Sequence, residues 1–86
     1  MAIFLIVPTG MEAELERAIQ EKLPKKYYRL PRGEYVVSFS GTSKDLSDAL
    51  GITDGRSGLG LVASIGGYHG RAPNDLWEWL AQAAKA

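Results

Sequence analysis

The chain has 86 residues, enough for one small domain spanning residues 1–86 and too few for a second. It is 45% hydrophobic and 23% charged, which excludes a disordered chain, and its ten Lys plus Arg against ten Asp plus Glu exclude a whole-molecule attraction to nucleic acid. Without cysteine there are no disulfides and no thiolate metal sites.

The apolar opening 2-AIFLIVP-8 is too short to span a bilayer, and it lacks the basic flank and small-residue cleavage site of a secretory signal. It is expected to be a strand over residues 2–7, in a cytoplasmic protein with no membrane partner. Ile3, Leu5 and Val7 fall on one face and Phe4 and Ile6 on the other, and a strand apolar on both faces belongs in the middle of a sheet. Pro8-Thr9-Gly10 breaks the run. Thr9 and Glu12 have capping-box spacing for a helix over about residues 10–23, with Met11, Leu15, Ala18, Ile19 and Leu23 on one face. Pro24 stops it. Residues 27–30 and 35–40 read as a hairpin around the turn 31-PRG-33, with Tyr35, Val37 and Phe39 sharing a face. Thr42 or Ser43 then caps a short helix that turns Leu46, Ala49 and Leu50 inward, and Gly51 before Ile52 reads as its left-handed end. The loop 53-TDGRSG-58 leads to a fourth strand over residues 59–65. Pro73 suits the first turn of a last helix, where Leu76, Trp77, Leu80, Ala81 and Ala84 form a stripe and Trp79 points away from it.

This α+β order, β-α-β-β-α-β plus a C-terminal helix, is the split βαβ arrangement and resembles ferredoxin-like domains in architecture, without a family motif. The resemblance implies an antiparallel sheet in the order 4-1-3-2 with both main helices on one face. The open face is expected to carry Phe4, Ile6, Val36, Ser38, Val62 and Ser64, which is too apolar to meet water. Its cover is expected to be the extra C-terminal helix, packed on or near that face, or the same face of a second copy. Gly66, Gly67 and Gly70 tolerate positive φ and would let the chain turn back across the sheet.

The stretch 66-GGYHGRAPND-75 suggests an anion site. Two helix starts, at Thr42-Ser43 and at residues 73–75, would offer free amides, with Tyr68, His69 and Arg71 beside them. The plainer alternative is that Thr42 and Ser43 only cap, Arg71 pairs with Asp75, and His69 is solvated. His69 is the single histidine, and although Ser64 and Asp75 are near it in sequence nothing supports a triad, so no catalytic residue, metal or cofactor is assigned. Two further stretches rank lower. In 51-GITDGRSGLG-60 the glycines suit either a phosphate cradle or ordinary turns, with Arg56 beside them. In 25-KKYYRLPR-32 basic and aromatic residues alternate, but lysines also protect sheet edges, and nucleic acid is not expected. Trp79 suits an interface, or else packs on a neighbouring strand through a slightly rotated helix. These residues describe a small noncatalytic module that works through a protein partner or a homodimer, with Phe4, Ile6, Trp77 and Trp79 at the contact. The alternative is a binder of a small anionic or nucleotide-like ligand at Thr42, Ser43, Tyr68, His69 and Arg71, and a small enzyme comes third.

Overall fold

Strand β1 (Ala2–Gly10) runs on through Pro8 and Thr9, past the point where the sequence pattern ends it. The reason is pairing. β3 (Tyr35–Phe39) accompanies β1 only as far as Ile6, opposite Tyr35, so Pro8 meets a neighbour on one side alone and its missing N–H breaks no ladder. On the other side β4 (Leu59–Ile65) pairs Pro8 with Gly60 and Gly10 with Leu59 across a bulge. Thr9 is therefore held in the strand, and the capping box expected with Glu12 does not form. Helix α1 (Glu12–Lys22) starts instead behind Met11, which takes the left-handed conformation (φ 50°, ψ 45°) without a side-chain cap. The computed structural model describes residues 2–67, 69–70 and 74–85; the side chains of Ala84 and Lys85 lie outside that description.

The remaining elements are β2 (Tyr27–Arg29), α2 (Ser43–Ala49) and α3 (Asn74–Lys85). The chain is an α+β domain with one open four-stranded antiparallel sheet in the order β2-β3-β1-β4. α2 is fixed by local chemistry at both ends. Thr42 Oγ1 accepts from the Asp45 N–H and the Asp45 carboxylate accepts from the Thr42 N–H, both at 3.0 Å. At the other end Gly51 turns left-handed (φ 73°) and the Ile52 N–H reaches the Ser47 carbonyl at 2.9 Å, with Ile52 buried behind it.

Register decides the faces. Antiparallel partners share a face, and Phe4 stands opposite Val37 and Ile6 opposite Tyr35. Phe4 and Ile6 therefore lie under α1 and α2, at 1% and 0% exposure, packed with Leu15, Ile19, Leu46 and Leu50. This corrects the expectation that put them on the open face and at an interface: they belong to the main core. The reverse face carries Ile3, Leu5 and Val36, and α3 covers it with Leu76 and Leu80. Burying a Leu or Ile is worth about 1.5–3 kcal/mol each, enough to hold a helix on the sheet of so small a domain. Trp79 does not point away; it is half-buried against the same layer, its ring 6.4 Å from that of Tyr28, and Trp77 packs there too. Of the three joint glycines only Gly70 has positive φ, at 157°.

Candidate functional site

The expected anion pocket divides between two sides of the sheet. α2 packs with Phe4 on one face and α3 with Ile3 on the other, so their starts do not belong to one layer. The amide of Thr42 is already taken by Asp45, whose carboxyl that bond and the Thr42 hydroxyl hold below the ordinary value. A negative charge thus occupies the place proposed for an anion. Ser43 is the first residue of α2 and half-buried. His69 is exposed, and Tyr68 and Arg71 lie outside the described residues. At the start of α3, burial and a hydrogen bond between the Tyr28 hydroxyl and Asp75 raise the Tyr28 phenol above its usual value.

The loop over residues 51–58 satisfies its own amides. The Ser57 N–H donates to the Gly51 carbonyl at 3.0 Å, Gly55 N–H to Ile52 at 3.1 Å, and Arg56 N–H to Asp54 Oδ1 at 3.0 Å. Those donors are not aimed at a phosphate. The aromatic rings of the basic stretch turn inward. Tyr27 packs edge-on with Tyr35 at 6.2 Å on the main face, and Tyr28 packs with Trp79 on the other. Tyr35 donates its hydroxyl to Glu16 Oε1 at 3.2 Å, where Arg29 Nη1 also stands at 3.9 Å. Lys25, Lys26, Arg29 and Arg32 are left as a basic, exposed border along β2.

Two features carry a surface of another kind. Leu59 is 43% exposed and Leu61 60%, both on β4, and Met11 is exposed just beyond the β1 end that pairs with Leu59. These are the large apolar side chains left in water among the described residues, and they share one corner of the sheet. β4 is also an edge: β1 occupies one side of it and no described strand occupies the other. It is seven residues long, LGLVASI, with no charge. The opposite edge, β2, is three residues long and borders the lysines. A short, charged edge resists unwanted pairing, whereas a long, uncharged, apolar edge invites it.

The second feature is a hollow of about 430 Å³ at the end where β3 leaves the sheet, lined by Lys22, Leu23, Pro24, Lys26, Ser38, Phe39 and Ser40. Its wall is mainly apolar, and two lysines, Lys22 and Lys26, contribute to it. Neither feature was singled out from sequence. The β4 edge was within reach, since the expected order 4-1-3-2 already put the fourth strand at a border and its lack of charge is plain in the sequence. Among the described residues no helix is long and apolar enough to cross a membrane, and no group of three His, Cys, Asp or Glu gathers to hold a metal ion. No family model, curated protein or solved structure matches the chain.

Proposed function

We propose that the chain is a noncatalytic interaction module of ferredoxin-like architecture, cytoplasmic in setting, that works by apolar contact along its β4 edge with a protein partner or with itself. One observation carries this reading: Leu59 and Leu61 stand in solvent on an uncharged edge strand of seven residues. Exposed backbone donors and acceptors supply affinity in strand addition, and alternate side chains supply selectivity. The contact thus moves from Trp77 and Trp79, which hold α3 on the sheet, to Leu59 and Leu61. The test is a photoreactive residue at position 61, compared with one at exposed Glu14 on α1. Adducts formed in cells at 61, absent at 14 and competed by untagged chain, are the expected result. Equal labelling at both positions, or none at 61, contradicts the reading.

A second reading is favoured by the hollow that Lys22 and Lys26 help to line, because the positive charge of two lysines suits a small anionic ligand. A thermal-shift screen with nucleotides and inorganic phosphate tests it, because a ligand at a hundred times its Kd stabilises by about 2.7 kcal/mol. The shift is expected to vanish in a Lys22→Ala, Lys26→Ala double variant. No shift with any anion in the wild-type chain removes this reading.

A further inference from the structure

We infer that the occupant of the β4 edge is a second copy of this chain, paired antiparallel across a two-fold axis at Val62, so that two four-stranded sheets become one continuous sheet. The inference rests on the interaction-module reading and names its partner.

Charge is the first argument. Residues 57–67 contain no Asp, Glu, Lys, Arg or His, so β4 offers a charged peptide nothing to pair with. Like charges placed opposite one another on paired strands are destabilising, and self-pairing of β4 brings none together. Self-pairing of β2 would set Arg29 and the neighbouring lysines near their own copies. The whole chain is balanced at ten positive and ten negative residues, so two copies do not repel at long range.

Side-chain size is the second argument. Residues opposite each other must share a face, so a two-fold pairing of β4 moves in steps that preserve parity. With Val62 opposite its own copy, Leu61 meets the partner's Ala63, Gly60 meets the partner's Ser64, and Leu59 meets the partner's Ile65. All seven residues of the strand are used. The most exposed leucine faces the smallest side chain on its own side of the sheet. Leu61 and Ala63 pair with Val7 and Leu5 of β1, on the face that α3 covers, so the apolar layer there continues into the neighbour. Centring on Leu61 instead sets that leucine against itself and leaves Ile65 without a partner.

Because the chain has no cysteine, single-cysteine variants report this geometry without background. Opposed Cα atoms lie about 4.5–5.5 Å apart in an antiparallel pair, inside the span of about 4.4–6.8 Å that a disulfide accepts. Under mild oxidation Val62→Cys is expected to give a disulfide dimer. Leu59→Cys and Ile65→Cys alone are not, since each lies about 20 Å from its own copy along the strand. A mixture of Leu59→Cys with Ile65→Cys is expected to cross-link, as is Leu61→Cys with Ala63→Cys, which keeps the test available if Val62→Cys folds poorly. The dimer yield for matched positions should exceed that for Leu59→Cys alone by on the order of tenfold. Equal yields at 59 and 62, or no matched cross-link in a chain that light scattering finds dimeric, overturns the inference. A chain that stays monomeric at every concentration also overturns it. In that case the interaction-module reading stands if a probe at position 61 still captures a different protein, and falls with the inference if it captures none.

Discussion

Phe4 is enclosed by Val37, Phe39 and the α1 and α2 side chains, with its ring edge-on to that of Phe39 at 6.1 Å. Phe4→Ala should therefore lower stability by about 3–5 kcal/mol, read as a fall in the urea midpoint. Leu61→Lys is the opposite case. It adds charge to a side chain already 60% exposed and should change stability by no more than about 0.5 kcal/mol while abolishing any rise of mass with concentration in light scattering. At this scale the residue types could be read from sequence but the side of the sheet could not. β1 is apolar at Ile3, Phe4, Leu5 and Ile6 alike, so its alternation carries no parity signal, and only the pairing of Phe4 with Val37 assigns the face. Trp79 was misplaced for a related reason: its burial depends on Tyr28, a residue far away in sequence.

At the scale of elements, local chemistry and distant pairing divide what could be foreseen. α2 was foreseen at both ends, with Thr42 or Ser43 as its cap and Gly51 as its left-handed end, because the Thr42–Asp45 box found there and the Gly51 turn are both made by neighbouring residues. Thr42→Ala should cost about 0.5–2 kcal/mol of stability in chemical denaturation. The same cap sets an acid limb. The Asp45 carboxyl is lowered below 3.8 by the Thr42 amide and then its hydroxyl, so the folded state binds this proton less readily than the unfolded chain. Its contribution is present above that ordinary value and is lost as pH falls through the lowered one. Asp45→Asn should flatten this limb in a pH series of thermal unfolding. The start of α1 was not foreseen. Thr9 and Glu12 have the spacing of a cap, but pairing of Pro8 and Gly10 with β4, distant in sequence, keeps Thr9 in the strand.

The whole molecule is three layers: α1 with α2, the sheet, and α3. The two apolar clusters are separated by the sheet itself, and Tyr27 and Tyr28 on its β2 border serve one each. That an apolar reverse face needs a cover was evident from β1, and the C-terminal helix does cover it, with Val36 there as expected but with Ile3 in place of Phe4 and Ile6. The candidate site was less evident, because tryptophans and glycines drew attention to the last helix while the exposed surface lies on the strand before it. A property of the assembled fold also appears at high pH. Burial, then the charge and hydrogen bond of Glu16, raise the Tyr35 phenol above 10.0. The associated stability is intact below pH 10.0 and declines as pH climbs through the raised value. Tyr35→Phe should weaken this alkaline decline without removing it, because the raised Tyr28 phenol remains, and thermal unfolding against pH checks both.

β4 is an edge of the sheet, and the pairing proposed for it is with the β4 of a second copy. Residue-resolved amide hydrogen exchange, recorded on the intact chain at low and high concentration, reads this pairing strand by strand. Outward amides within Leu59–Ile65 should exchange freely when dilute and gain protection as concentration rises, while those of Tyr27–Arg29 should not change. Exchange in β4 that is indifferent to concentration, or protection that grows along β2 instead, would contradict it.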